Sequence, residues 1–152
     1  MALFGNRQEA NLRACQQMVE SVLVERGLDA EGARLDGAGG PAWGLTHGSA
    51  RVFVFLTRSG SENVLQVMAP LLRPTADALD GPRLCRRLLE LNAGALTGAA
   101  FGLRGEEVVL TADRLTDGLD LVEVEEMIRR VADYADRFDD ELLREFGGHR
   151  PT

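Results

Sequence analysis

Leu84-Cys85-Arg86-Arg87-Leu88-Leu89-Glu90-Leu91-Asn92, followed by Ala100-Phe101-Gly102-Leu103 and Val108-Val109-Leu110-Thr111-Ala112, decides the fold. The first segment spaces Leu84, Leu88 and Leu91 at helical steps, whereas the other two carry the short apolar pattern of strands. Small residues from Asn92 to Gly98 break the helix, and Gly105-Glu106 supplies a tight turn between the strands. Pro82 suits the first helical turn. The stretch therefore reads as a short helix feeding a β-hairpin.

Upstream, three strands are predicted over Ala42–Thr46, Ala50–Arg58 and Val64–Leu72. His47-Gly48-Ser49 and Ser59-Gly60-Ser61-Glu62-Asn63 serve as hairpin turns. Proline gives no ladder donor, so Pro70 and Pro74 place the end of the third strand at an edge or outside the sheet. Before these strands, Asn6 and Glu9 have capping-box spacing ahead of a helix that carries Leu12, Cys15, Val19, Val22 and Leu23 on one face. Gly27 ends that helix, and the glycine-rich segment Leu28–Pro41 reads as a loop. A phosphate cradle would need a strand before such a loop and a helix after it, and here a strand follows.

Downstream, Asp120 and Glu123 open a last helix whose buried stripe runs from Leu121 through Val124, Ile128, Val131 and Phe138 to Phe146. Gly147–Thr152 is predicted to fray. The order is helix, three strands, helix, two strands, helix, an α+β arrangement expected to form one domain over residues 1–152. The second strand points Val52, Val54 and Leu56 one way and Phe53 and Phe55 the other, and the third opposes Leu65, Val67 and Ala69 to Val64 and Met68. Strands apolar on both faces need cover on both. With three helices for two faces, part of one face is expected to need another chain.

Hydrophobic residues at 45% and charged residues at 27% are ordinary globular values. The formal charge of −7 and pI near 4.9 oppose nucleic-acid binding. Leu115 to Phe146 holds 11 acidic residues against 4 arginines, so the whole imbalance lies on the last helix. Every cation outside histidine is arginine. Met1-Ala2-Leu3-Phe4-Gly5-Asn6 lacks the pattern of a signal peptide, no apolar run approaches the roughly 20 residues of a membrane helix, and the expected location is cytoplasmic. Cys15 and Cys85 lie on apolar helix stripes and are read as buried free thiols.

Catalytic chemistry finds little purchase. His149 is in the tail, and His47 beside Ser49 in a turn has no third partner to orient it. No Cys or His spacing suits a metal, and Asp139-Asp140-Glu141 reads as a solvated helix face. Trp43 and Phe53 are read as core rather than as a base-stacking platform. The expectation is a protein without enzymatic activity or cofactor.

The element order, with Leu88-Leu89-Glu90-Leu91-Asn92, Phe101-Gly102-Leu103, Val108-Val109-Leu110, and Leu115 through Gly118-Leu119 into an acidic final helix, resembles the YbjN family. That family is related in fold to the class I chaperones of type III secretion. The resemblance covers most of Ala42 to Phe146. It implies a twisted antiparallel sheet packed with helices, a homodimer, and a non-enzymatic role in holding a client or partner protein, with a regulatory link to stress. Carried onto this chain, the family's dimer contact falls at Leu84, Arg87, Leu88 and Leu91. The acidic face formed by Glu125, Glu126, Asp133, Asp136 and Asp140 is expected to meet a basic patch on the partner. An alternative is a small-ligand sensor with its pocket near Trp43, Phe53 and Tyr134, and a more distant one is a type III secretion effector chaperone.

Overall fold

The computed structural model describes residues 2–152, with side chains from Gly5 onward. Its elements are α1 (Ala2–Glu25), β1 (Ala42–His47), β2 (Ala50–Ser59), β3 (Glu62–Leu72), α2 (Ala76–Asp80), α3 (Pro82–Gly94), β4 (Ala100–Arg104), β5 (Glu107–Leu115) and α4 (Leu121–Phe146). The five strands form one antiparallel sheet in the order β1-β2-β3-β5-β4.

Three local expectations meet their physical cause directly. Gly27, at φ 79°, closes α1 while the Leu28 and Gly27 amides donate to the carbonyls of Leu23 and Val24. This is a Schellman stop, in which a left-handed residue lets the chain satisfy the last carbonyls. Asp120 and Glu123 form a reciprocal capping box at the start of α4. β2 stops pairing with β3 at Met68, so Pro70 lies where β3 has a partner, β5, on one side only.

Other expectations are corrected. α1 starts at Ala2, so Asn6 and Glu9 lie inside it and the capping box there is unused; Ala2 and Leu3 are strong helix formers and carry the helix upstream. A short extra helix, α2, is capped by the Thr75 hydroxyl accepting from the Ala78 amide. Cys85 is exposed, because α3 turns Leu84, Leu88 and Leu91 inward and Cys85 lies beside that line.

The core lies on one side of the sheet. Trp43, Leu45, Val52, Val54, Leu56, Leu65, Val67, Val108 and Leu110 meet Val19, Val22 and Leu23 of α1 and Ile128, Val131, Phe138 and Leu142 of α4 in one apolar cluster. α3 adds Leu84, Leu88 and Leu91 to the same cluster at the β4 end. Both outer strands are guarded. Asn92 of α3 donates to the Phe101 carbonyl at 3.1 Å and accepts from its amide at 2.7 Å, tying up the free edge of β4. On β1, the Leu35 amide donates to Ala42 and the Gly44 amide donates to Ala33. Unpaired edge groups invite further strands, and these contacts remove part of that invitation.

Candidate functional site

Among the described residues, no helix packs on the other face of the sheet. A row of paired residues, Gly44, Phe53, Met68, Thr111 and Ala100, crosses all five strands there. Phe55, Pro70 and Val109 flank the row, because residues two apart on a strand share a face. Phe53 and Phe55 are half-buried, with ring centroids 6.2 Å apart. Met68 and Val109 are buried yet stand outside the apolar cluster on the helix side. Cover is partial and comes from long side chains. Leu35 of the loop lies over Gly44, Arg51 stacks on Phe53 with 5.3 Å from guanidinium to ring centroid, and Arg104 reaches the Met68 sulfur at 3.3 Å.

The expectation that Phe53 joins Trp43 in the core is corrected: Trp43 is on the helix side and Phe53 on the open side. Tyr134 is elsewhere again, its hydroxyl accepting from the Thr97 amide at 3.1 Å. Trp43, Phe53 and Tyr134 therefore do not line one pocket. Adjacent strand residues face opposite ways, so a register one residue off separates aromatics that look close in sequence.

The end of this face nearest the β1–β2 turn is occupied by the chain's own C-terminal residues. Gly147 and Gly148 have φ of 67° and 93° and turn the chain back after α4. His149 pairs with Arg73 just beyond β3 through two backbone hydrogen bonds of 2.9 and 3.1 Å. Arg150 ion-pairs with Asp139 at 3.6 Å and also with Asp140. Pro151 and Thr152 then line a cleft of about 170 Å³ together with Phe53, Pro70 and Arg51. The tail is thus seated rather than frayed, because its carbonyl, amide and guanidinium each find a partner.

A family model described as type III secretion (YopN, CesT) and YbjN peptide-binding chaperone 1, TY-Chap1, matches residues 13–152. The chain belongs to the TY-Chap1 family. The fold of this TY-Chap1 chain is also found in two solved protein complexes. The solved ExsC–ExsE complex matches with 17% identity and a TM-score of 0.62, over 84% of this chain and 92% of that one. The HopA1–SchA chaperone–effector complex matches with 12% identity and a TM-score of 0.58, over 87% of this chain and 97% of that one. No curated protein matches the chain.

In this TY-Chap1 protein, the α3 leucines predicted for a dimer contact fill the chain's own core, with Leu88 only 4% exposed. Arg87 is half-buried and ion-pairs with Glu141 at 3.0 Å and Glu145 at 3.4 Å, tying α3 to α4. The outward apolar residue of α3 is Leu89, 67% exposed.

Much of the acidic face of α4 is also engaged within the chain. Glu126 pairs with Arg129 and Arg130, and its hydrogen bond from Arg129 holds its carboxyl below the usual range. Asp133 pairs with Arg129 and lies 3.2 Å from the His47 ring. Asp136 accepts from the Ser49 amide at 3.0 Å, which is the main cause of its lowered pKa. Asp140 is held by Arg150. The carboxylate of Glu125 has no partner among the described residues. Periodicity reads a polar face on this helix, but Asp139, expected to be solvated, is 3% exposed, and pattern alone does not show that the charges are already paired. Among the described residues, no helix is long and apolar enough to cross a membrane.

Proposed function

We propose that this protein is a non-enzymatic chaperone that holds an extended segment of a partner protein against the open sheet face. The observation that carries this reading is the row through Gly44, Phe53 and Met68, outside the helix-side core, where the cover among the described residues comes from Leu35, Arg51, Arg104 and the residues after Phe146. Membership of a peptide-binding family supports a protein ligand. Two solved structures of the same fold are complexes named for two proteins each. Apolar residues covered by movable long side chains can be uncovered for a partner, and uncovered apolar patches mark interaction surfaces.

The same reading includes a homodimer formed across α3, a cytoplasmic bacterial setting and a regulatory role in stress. In the dimer, Leu89 and Cys85 present the contact, while Leu84, Leu88, Leu91 and Arg87 support it from beneath. The net charge of −7 favours a basic partner, with Glu125 the most available carboxylate of the acidic face, so added salt weakens binding.

Peptides selected on the wild-type chain from a displayed random library test the surface. Phe55→Asp is expected to weaken the selected peptides by at least about tenfold, equivalent to about 1.4 kcal/mol. Its melting temperature should stay near that of wild type, because Phe55 lies outside the helix-side core. Peptides that bind Phe55→Asp as tightly as wild type would place the site elsewhere.

A further inference from the structure

The last six residues cross from the helix side of the sheet to its open face, and what they touch there is specific. The backbone exchange between His149 and Arg73 is the pairing an added strand makes, and it reads no side chain. The Arg150 position does read a side chain. Asp139 is 3% exposed, accepts from the Ser49 hydroxyl at 2.5 Å, and has the Arg150 guanidinium at 3.6 Å. A buried carboxylate is costly without a cationic partner, and a planar, weakly hydrated guanidinium suits such a place better than an ammonium.

Resting on the peptide-binding reading of the open face, we propose that this cleft binds an extended, arginine-bearing segment of the partner protein, and that Gly147–Thr152 is a tethered competitor for it. The tail is built to leave. Gly147 and Gly148 form a two-residue hinge, and no described residue after Phe146 belongs to the apolar core. Pro151 offers no amide, so strand-like pairing cannot extend past Arg150 and the hold stays short. A tethered segment acts at an effective concentration on the order of millimolar, so a partner segment must displace it rather than fill an empty cleft.

Gly148 supplies a way to release the tail without removing it. A Cβ there would run into the Arg73 carbonyl oxygen, and φ is already in the left-handed region. Gly148→Ala in the full chain is therefore the released form, and Arg150→Glu, which sets a carboxylate against Asp139 and Asp140, is a second released form with the hinge intact. The probe is a synthetic peptide with the sequence of Phe146–Thr152, followed by amide shifts of Arg73 and Ser49 in ¹⁵N-labelled protein.

Both released forms should saturate with the peptide, and wild type should need at least about tenfold more of it. A peptide with Ala in place of Arg150 should fail to saturate any form. Equal saturation of wild type and released forms, no saturation of either released form, or equal binding of the Ala peptide would each overturn the proposal. Its fate is separable from that of the sheet-face reading. Library peptides that still depend on Phe55 leave the open face standing if the tail peptide fails, and saturation by the tail peptide survives if Phe55 proves irrelevant.

Discussion

Leu88→Asp is expected to destabilise the protein severely, while its neighbour Leu89→Asp leaves the fold intact and changes only association. Leu88 is 4% exposed within the cluster that joins α3 to the helix-side core, and Leu89, about 100° further round the same helix, is 67% exposed. Placing a carboxylate at position 88 strands a charge without a built partner, which costs about 4 kcal/mol or more. Total stabilities are about 5–15 kcal/mol, so a loss of this size removes from about a quarter to most of the stability and should lower the melting temperature by roughly 8 °C or more. At position 89 a surface change is worth within about 0.5 kcal/mol, so thermal unfolding should shift by no more than about 2 °C. Light scattering then reads the second arm. If α3 forms the dimer surface, Leu89→Asp elutes as a folded monomer; a folded dimer would remove α3 from the interface. The usual choice of a leucine from the predicted apolar line would confuse loss of folding with loss of association.

Phe138→Ala should cost about 3–5 kcal/mol, the range for a large aromatic side chain removed from a packed core. Phe138 is buried on α4 and meets Phe101 of β4 edge-to-face, with centroids 5.6 Å apart and planes at 82°. Tyr134 lies at 6.4 Å from the same ring, and the Arg137 guanidinium stands over it at 4.8 Å. One ring therefore couples the last helix to the outermost strand of the sheet. For a chain of this length the expected fall in melting temperature is roughly 6–20 °C. A fall of less than about 3 °C would mean that neighbouring side chains collapse into the space and that the ring does not bridge the two elements.

The order of the principal elements was legible because each carries its own local signal. Pro82 opens α3, Gly27 stops α1, Asp120 with Glu123 opens α4, and short glycine turns separate the strands. The two-sided character of β2 was legible for the same reason, since alternation shows which residues share a face. What alternation cannot show is which face a helix will cover. Phe53 and Trp43 look alike in sequence, and only the register Gly44↔Phe53 puts them on opposite sides. The brief α2 escaped because five residues hold too little periodicity to read. The seat of the tail was illegible for a different reason. Arg150 and Asp139 are close in sequence, but their pairing depends on a chain reversal at Gly147-Gly148 and on Arg73, far upstream. Composition marks those residues as a loose end, and the backbone partner that fixes them leaves no local trace.

Asn92 and the loop ahead of β1 have a bearing on solubility. A sheet with half-buried phenylalanines on one face carries an ingredient of fibril growth, which also requires free strand margins along which identical chains can stack. Here the β4 margin is occupied by the Asn92 amide at Phe101, and the β1 margin by the backbone of Ala33 and Leu35. Two small devices at opposite ends thus deny the sheet the lateral contacts along which identical chains would stack.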